Sequence, residues 1–464
     1  NSPYQYRGGC KIYTYMDSQM QDYAENLKTD ADRSGKSMLI CDNRTHGIIA
    51  WYTTEGDIRR QPGSVIKPLA VYAPAVEENK ISPCTPLSDE KTDFGGYSPS
   101  NYKDEYRGYV SAREALALSL NIPAVKILNS LGVEKSESFL RRLQLFLPEA
   151  DKNLSLALGG MSEGFTLREI AAAYSTFANS GNFTPVSFIR RIEDADGNTL
   201  YTRSSTQQKV FSEDTAALMN EMLACAAKKG TAKKMACLPF EVCAKTGTCG
   251  TDEGNTDAWT VSYTTAHTVA VWMGNADNTL TDITGGGLPC HYAMLLNKRL
   301  YRNTRPQPFT SSPKVVECRL DKIAYEQDHS VKLAAENTPV RYTFTDLFRI
   351  SNQPKEFGST FTAPSVSAKI HYENSAVFID LCQTEYYDYV IKREQKGKTI
   401  QIYDGHCDNG YEDDTVLPNK KYTYTVTPYF LGEDGKRHYG KEITLPSVYC
   451  KQTKQSPPKN WWNS

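Results

Sequence analysis

The sequence of 464 residues lacks several features, and each absence excludes a class of protein. No apolar run approaches the roughly 18 residues that span a bilayer, so no membrane-spanning helix is predicted. Lys and Arg number 53 against 54 Asp and Glu, which leaves a net charge of −1. Without a basic excess, neither a nucleic-acid partner nor a basic membrane-binding surface is predicted. The Gly285-Gly286-Gly287 run lacks the spacing of a phosphate-binding loop and is predicted to be a turn.

Cysteine is present in twelve copies, but none of them forms a Cys-x-x-Cys pair. A zinc site is therefore not predicted, and neither is any other metal or cofactor. Disulfides would be possible in an oxidising compartment, with Cys382 and Cys407 as one candidate pair and Cys237, Cys243 and Cys249 as a crowded group. Free buried thiols are the alternative.

The most informative stretch is Gln61-Pro62-Gly63-Ser64-Val65-Ile66-Lys67-Pro68. It predicts a turn running into a helix, with Ser64 and Lys67 on one face because they are three residues apart. A serine becomes nucleophilic when a neighbouring base takes its proton. Lysine can be that base when burial or a nearby positive charge lowers its pKa. By itself the spacing is also compatible with a helix cap and a surface lysine.

Two further stretches strengthen the nucleophile hypothesis. Ser119-Leu120-Asn121 follows an apolar helical run, and Lys245-Thr246-Gly247-Thr248 opens a strand-hairpin pattern. Alone, the first could cap a helix before Pro123 and the second could be an exposed strand end. The set S-x-x-K, S-D-N and K-T-G in this order is typical of penicillin-binding proteins and class A β-lactamases, and Ser119-Leu120-Asn121 is a variant of its middle member with the same polar ends.

The pattern along the chain predicts an α+β architecture in residues 37–305. Ser37 to Ile40 and Gly47 to Trp51 are predicted strands, as are Val242 to Thr248, Trp259 to Tyr263 and Thr268 to Met273. Capping boxes at Ser111–Glu114 and Thr166–Glu169 and a cap at Ser212 predict helices. A helical cluster and an antiparallel sheet with a cleft between them follow from this order.

The remaining segments are predicted as follows. Residues 1–36 form a linker segment containing a short strand and an amphipathic helix, and 306–361 form a connecting region. Residues 362–450 show short strands with polar turns, which predicts an all-β sandwich, and 451–464 are a tail. The segment from Leu417 to Tyr422 is similar to the segment that leads into a tyrosine corner. This sandwich therefore resembles a fibronectin type III domain.

Beyond the short motifs, residues 8–300 resemble the transpeptidase region of a class A penicillin-binding protein. The likeness includes Gly8 to Thr14, Arg107 to Leu116, Ser119 to Val125, Leu158-Gly159-Gly160 and Ala270 to Gly274. It implies a penicillin-binding protein or serine β-lactamase-like fold. It also implies that a glycosyltransferase domain and a membrane anchor preceded Asn1 and are absent from this chain.

The resemblance implies a role for each motif residue. Ser64 would attack the D-Ala–D-Ala bond of a peptidoglycan stem peptide, with Lys67 as base, Ser119 as proton relay, Asn121 holding Lys67 and the substrate, and Lys245 keeping Lys67 neutral. Thr246 and Thr248 would bind the terminal carboxylate, and Gly247 would leave room for substrate at the strand edge. The backbone N–H groups of Ser64 and Thr248 would form an oxyanion hole.

The function implied is that of a D,D-transpeptidase at the extracytoplasmic face of a bacterial membrane. Its partners would be stem peptides, β-lactam antibiotics and other cell-wall synthesis proteins. A D,D-carboxypeptidase or β-lactamase would use the same acyl-enzyme, and the motifs do not separate these outcomes. A non-catalytic β-lactam-sensing or scaffold module is a further alternative. Glu163 is interpreted as a solvated turn carboxylate rather than a water-activating base.

Overall fold

The computed structural model describes residues 9–27, 34–204, 206–251, 253–382, 385–408 and 410–452. The chain divides into two compact units, the first comprising residues 1–317 and 346–353 and the second 318–345 and 354–464. The predicted connecting region 306–361 is thus divided between the units rather than standing apart. Most of the predicted tail, and the start of the predicted linker, lie outside the described residues.

Helices and strands alternate irregularly along the first unit. Its strands are β1 (Cys10–Thr14), β2 (Gly35–Asp42), β3 (Ile48–Thr53), β4 (Pro86–Asp89), β5 (Gly108–Ser111), β6 (Asn182–Phe183), β7 (Ile189–Asp194), β8 (Thr199–Thr202), β9 (Gln208–Lys209), β10 (Cys243–Thr251), β11 (Gly254–Tyr263) and β12 (His267–Gly274). Its α-helices are α1 (Ser18–Asn26), α2 (Ala73–Glu77), α3 (Ala112–Ala117), α4 (Asn121–Leu131), α5 (Val133–Arg142), α6 (Leu167–Ala178), α7 (Glu213–Lys229) and α8 (Leu288–Leu300).

The main sheet of this unit is antiparallel and has the order β10-β11-β12-β2-β3, with β10 at one edge. Successive residues of β12 point to opposite faces, as the two-residue period of a strand requires. Ala270 and Trp272 join one buried cluster, which includes residues of α6 and α7. Val271 and Met273 join a second cluster, which includes residues of α1 and α8. Both faces of the sheet are therefore covered, which explains its long apolar strands.

The predicted helix starts are confirmed by their caps. The hydroxyl of Ser111 accepts from the backbone N–H of Glu114, whose carboxylate reaches back to complete a capping box. Thr166 and Glu169 form the same arrangement at the start of α6. The carboxylate of Asp17 accepts two N–H bonds at the start of α1. Each cap satisfies backbone donors that a helix leaves unpaired in its first turn.

Two strands, β13 (Val315–Asp321) and β14 (Thr343–Arg349), run across the boundaries of the units. The second unit contains one short α-helix, α9 (Lys322–Gln327), among its described residues. Its remaining strands are β15 (Ala368–Glu373), β16 (Ala376–Leu381), β17 (Asp388–Gln395), β18 (Lys398–Gly405), β19 (Gly410–Asp413), β20 (Lys420–Leu431), β21 (Arg437–Tyr439), β22 (Ile443–Thr444) and β23 (Val448–Cys450).

These strands form two antiparallel sheets. One has the order β15-β16-β19, and the other has the order β18-β17-β20-β21 with β22 and β23 also paired to β20. Val377 and Ile379 of the first sheet and Ile391 and Val426 of the second belong to one buried cluster. The predicted strands are present in this β-rich region. The strands β19, β21 and β23 have only three or four residues each, which is too few for an alternating pattern to be detected in the sequence.

None of the twelve cysteines, all of which lie in the described residues, takes part in a disulfide. The possible Cys382–Cys407 bridge does not form; Cys407 is buried and Cys382 is exposed. Within the ranges given above, no helix is both long and apolar enough to cross a membrane.

Candidate active site

Ser64 lies in a tight helical turn that begins at Gly63. A 3₁₀ helix covers Gly63–Ile66, a π-helical turn covers Pro68–Tyr72, and α2 continues from there. Side chains three residues apart eclipse one another in a 3₁₀ helix, so Ser64 and Lys67 project from the same side. The predicted helix is present, but its first turn is 3₁₀ rather than α.

Proline explains part of this irregular course. Pro74 has no backbone N–H, so it cannot donate the bond that the carbonyl of Ala70 would accept in an α-helix. The hydroxyl of Ser136, on α5, donates to that carbonyl at 2.6 Å instead. The segment after Ser64 is therefore held by a hydrogen bond from a neighbouring helix as well as by hydrogen bonds within its own backbone.

The turn packs directly on β10. A side chain at Gly247 would place its Cβ 2.5 Å from the carbonyl oxygen of Pro62 and 3.0 Å from the backbone nitrogen of Val65. Gly63 has φ +52°, and a Cβ added there would lie 2.9 Å from the carbonyl oxygen of Thr248. The missing side chain of Gly247 therefore makes room for the turn that carries Ser64, a structural reason for a glycine here that the sequence alone does not show.

Lys67 is fully buried and its Nζ donates to three oxygens. These are the backbone carbonyls of Ser119 at 2.7 Å and Leu120 at 2.9 Å and the side-chain Oδ1 of Asn121 at 2.7 Å. Three acceptors match the three N–H donors that the ammonium form of Lys67 carries. Burial and, second to it, the charge of Lys245 lower the pKa of Lys67 well below its ordinary value, against an opposing effect of Asp89.

Ser119 connects the two lysines. It occupies the left-handed backbone region at φ +61°, which a non-glycine residue adopts at a cost. Its carbonyl accepts from Lys67, while its hydroxyl accepts from the Nζ of Lys245 at 2.7 Å. Burial lowers the pKa of Lys245 to about 7. The predicted electrostatic effect of Lys245 on Lys67 is present, although burial is the larger cause.

The two threonines of the Lys-Thr-Gly-Thr stretch have partners that sequence reasoning missed. The hydroxyl of Thr246 donates to the hydroxyl of Thr231 at 2.6 Å. The hydroxyl of Thr248 accepts from the backbone N–H of Gly285 at 3.0 Å. The Gly285-Gly286-Gly287 turn thus packs against β10, the strand that carries Lys245 to Thr248. Its run of glycines was the one sequence feature that could have indicated this contact. Thr231 carried no pattern of its own.

A buried ion pair anchors the approach to the nucleophile. The guanidinium of Arg60 donates to both carboxylate oxygens of Asp257, at 2.6 and 3.2 Å. The indole N–H of Trp272 donates to the same carboxylate at 2.9 Å, and that of Trp259 donates to the carbonyl of Gln61 at 2.8 Å. Residues nearly two hundred positions apart, Arg60 and Asp257, therefore fix the entry to the turn.

No group of three or more metal-ligating side chains occurs in the described part of the chain. Glu163 is exposed in a turn, as its interpretation as a solvated carboxylate requires. The chemistry that these residues can perform is proton transfer from a hydroxyl to a buried amine, followed by acyl transfer.

Comparison with known proteins agrees with this geometry. Residues 36–287 match the family described as penicillin binding protein transpeptidase domain. Penicillin-binding protein 1F of Bacillus subtilis is 38% identical over 288 residues, which cover 58% of this chain and 40% of that protein. Penicillin-binding protein 1A/1B of the same organism is 26% identical over 487 residues, covering 95% and 52% respectively. The chain belongs to the penicillin-binding protein transpeptidase family.

Solved structures show the same fold. PonA1 from Mycobacterium tuberculosis in complex with penicillin V aligns with a TM-score of 0.59 at 23% identity, over 65% of this chain and 89% of that one. Penicillin-binding protein 1A from Haemophilus influenzae aligns with a TM-score of 0.59 at 20% identity, over 70% and 54%. The predicted fold and the predicted enzyme class, a serine D,D-transpeptidase domain acylated by β-lactams, are confirmed. The chain spans about half the length of the curated relatives that it matches.

Proposed function

We propose that the whole protein cross-links peptidoglycan and that Ser64 carries the acyl group between two stem peptides. Ser64 Oγ attacks the carbonyl carbon of the D-Ala–D-Ala bond, and its proton passes to Lys67 Nζ. The C–N bond then breaks, the leaving amine takes a proton, and D-Ala departs. An amine of a second stem peptide attacks the ester, gives up a proton, and frees the Ser64 hydroxyl. A β-lactam acylates the same hydroxyl when its ring amide opens.

The observation that carries this proposal is the environment of Lys67. Its amine is buried, it lies on the same side of the turn as Ser64, and a second buried lysine opposes its charge. These are the conditions in which a lysine serves as a general base. Loss of a proton frees a lone pair and releases one of the three oxygens that now bind the ammonium.

Ser119 is assigned the proton relay to the leaving amine. Because Lys245 donates to the Ser119 hydroxyl, that oxygen acts as an acceptor and its own proton is available to another partner. Asn121 holds Lys67 through its amide oxygen. Both assignments rest on hydrogen bonds whose donor direction is fixed by the lysines, which can only donate in their charged form.

The oxyanion of the tetrahedral intermediate is assigned to the backbone N–H groups of Ser64 and Thr248. Ser64 lies in the first turn of its helix, where backbone donors have no acceptor within the helix. In other enzymes the loss of one such donor costs about 3–4 kcal/mol of transition-state stabilisation. The substrate peptide would extend along the open edge of β10, with its carboxylate at Thr246 and Thr248.

The second unit is proposed to be a fibronectin type III-like spacer or binding module. Two features support this reading. The antiparallel sheets β15-β16-β19 and β18-β17-β20-β21 share one buried core, as the two sheets of a β-sandwich of that kind do. The backbone N–H of Leu417 donates to the hydroxyl of Tyr422 at 3.0 Å, which is the bond of a tyrosine corner.

We place the protein at the extracytoplasmic face of a bacterial membrane, where its substrate lies, with other cell-wall synthesis proteins as partners. A glycosyltransferase domain and an anchor upstream of this chain belong to the same proposal. The alternatives are a hydrolase, which would pass the acyl group to water, and a non-catalytic sensor. The exposed position of Glu163 gives no support to a built water-activating site of the β-lactamase kind.

A product assay separates these functions. The chain is incubated with a synthetic stem peptide ending in D-Ala–D-Ala, with and without an amine acceptor, and the products are identified by mass spectrometry. Transfer to the acceptor, abolished in Ser64→Ala, is the expected result. Hydrolysis unaffected by the acceptor would establish a carboxypeptidase. Full activity of Ser64→Ala would overturn the assignment of the nucleophile.

A further inference from the structure

Asp89, the last residue of β4, is a completely buried carboxylate outside the three motifs. Among the described residues, no lysine or arginine nitrogen lies within 4.0 Å of it. Its oxygens accept instead from the side-chain Nδ2 of Asn101 at 2.7 Å and from the backbone N–H of Arg107 at 3.1 Å. A buried charge held only by neutral donors is costly. We therefore expect the buried carboxylate of Asp89 to have a functional role that offsets this cost.

Asn101 uses its whole hydrogen-bonding capacity. Its Oδ1 accepts from the backbone N–H groups of Asn121 at 2.8 Å and Ile122 at 3.3 Å. Its Nδ2 donates to Asp89 and to the carbonyl of Glu105 at 2.9 Å. Leu120, the residue before α4, provides no side-chain cap. Asn101 therefore caps the helix that carries the Ser119–Asn121 motif from a separate loop.

The donor and the acceptor of each hydrogen bond in this network, which runs from Asp89 through Asn101 and Asn121 to Lys67, are determined. A carboxylate only accepts, so Asp89 turns the NH₂ group of Asn101 toward itself and the amide oxygen toward Asn121. An ammonium only donates, so Lys67 faces the amide oxygen of Asn121, whose NH₂ group donates to the carbonyl of Ser100 at 2.7 Å. Asp89, at one end of this network, can only accept, and the ammonium of Lys67, at the other end, can only donate. Neither the Asn101 amide nor the Asn121 amide can therefore exchange its oxygen and nitrogen by rotating half a turn.

Charge links the same residues. Asp89 on β4 acts on Lys67 in the sense opposite to burial and to Lys245 on β10. Titratable groups near Asp89 include the buried phenol of Tyr72, on the nucleophile segment, and the phenol of Tyr106, on the loop before β5. Lys126, on α4, donates to the hydroxyl of the adjacent Ser88 at 3.1 Å. Among these groups, Asp89 supplies the negative charge that opposes the lowering of the Lys67 pKa.

We propose that Asp89 and Asn101 are positioning residues for the acyl transfer described above. Asn101 holds the start of α4, so that the carbonyls of Ser119 and Leu120 and the amide of Asn121 point at Lys67. Asp89 orients Asn101 and balances the charge of the two buried lysines. This inference rests on the proposed role of Lys67 as the base.

The test is the rate of acylation by a fluorescent penicillin as a function of pH, for the full chain and three variants. Asp89→Asn keeps the size of the side chain and removes its charge. We expect the acidic limb of its rate profile to move to lower pH, because Lys67 then loses its proton more readily. Asp93→Asn, which alters an exposed carboxylate in the following loop, is the control and leaves the limb in place.

Asn101→Ala removes the cap itself. Its expected effect is a 10- to 100-fold lower rate of acylation across the whole pH range, with normal near-ultraviolet circular dichroism as the check that it folds. An unmoved limb in Asp89→Asn, or an unimpaired rate in a folded Asn101→Ala, would overturn the inference. Failure of the unaltered chain to react would instead contradict the proposed function, so the two failures are distinguishable.

Discussion

The ammonium of Lys245 donates a 2.7 Å hydrogen bond to the hydroxyl of Ser119, a residue whose backbone lies in the left-handed region at φ +61°. This conformation directs the hydroxyl of Ser119 to one lysine and its carbonyl to the other. A serine in a conformation that suits glycine indicates that the side chain is required and that stability is given up for it.

Substitution of Ser119 therefore separates stability from activity. Ser119→Gly relieves the unfavourable conformation, whereas Ser119→Ala retains it, so the glycine variant should be more stable than the alanine variant by about 1 kcal/mol. Both variants lose the relay hydroxyl, and their acylation rates should fall by about 10²–10⁴-fold. Thermal denaturation and penicillin acylation measure the two effects. Normal acylation of Ser119→Gly would contradict the assignment of Ser119.

Lys245→Met should stabilise the protein in a pH-dependent manner. The pKa of Lys245 is about 7 in the folded chain and ordinary in the unfolded chain, so the unfolded state binds more protons between these values. The unfavourable contribution of this lysine is thus fully present below about pH 7 and disappears as the pH rises toward its ordinary pKa. We expect a gain of about 1–4 kcal/mol at pH 6 that shrinks by pH 10.

Chemical denaturation of Lys245→Met at several pH values measures this gain, with the exposed Lys229→Met as control. The acidic limb of the acylation profile should also move to higher pH in Lys245→Met, since Lys67 no longer faces a second positive charge. A uniform loss of stability at every pH would show that Lys245 is held by its hydrogen bonds rather than strained by burial.

Arg60→Met leaves the carboxylate of Asp257 buried without its charge partner. Truncating one member of a buried pair costs about 3–5 kcal/mol, and we expect a loss of that size in the unfolding free energy. Arg59→Met is the matched control, because the neighbouring Arg59–Glu169 pair is partly exposed, at 39% and 29%. The loss of unfolding free energy in Arg59→Met should stay below about 1 kcal/mol. Equal effects of the two variants would show that the Arg60–Asp257 pair does not anchor the turn.

Gly247→Ala tests the contact between β10 and the nucleophile turn. The added Cβ would lie 2.5 Å from the carbonyl oxygen of Pro62, which is backbone and cannot rotate away. Displacement of the turn by a fraction of an ångström to 1 Å should lower the acylation rate by up to about 10²-fold. Gly160→Ala, whose Cβ would meet only the side chain of Ser155 at 4.0 Å, should react normally. An unimpaired Gly247→Ala would show that the turn adapts.

What could be predicted from the sequence is the local part of this site. Ser64 with Lys67, and the capping box at Ser111, are patterns of three or four residues, and each folds as its spacing indicates. The pairing of Arg60 with Asp257, and of Asn101 with the start of α4, joins distant segments through polar groups that have no periodicity. Such contacts depend on the order of strands in the sheet, which no local pattern contains.

The irregular helix after Ser64 shows the same limit. The sequence predicts a turn running into a helix. The π-helical turn at Pro68–Tyr72 lies where Pro74 lacks the N–H that would bond Ala70 and where the Ser136 hydroxyl of another helix bonds that carbonyl instead. Gly247 was predicted to leave room for substrate at the strand edge. In the structure a Cβ at this position would lie 2.5 Å from the carbonyl oxygen of Pro62, a contact that is found only in three dimensions.

The central claim is that Ser64 forms a lasting acyl-enzyme. Intact-protein mass spectrometry after incubation with a penicillin, with peptide mapping and Ser64→Ala as control, tests it most directly. The account predicts an increase of one penicillin mass, located on Ser64, absent from the variant and persistent for longer than the assay. An unmodified protein with intact drug, or rapid hydrolysis of the drug without an adduct, would contradict it.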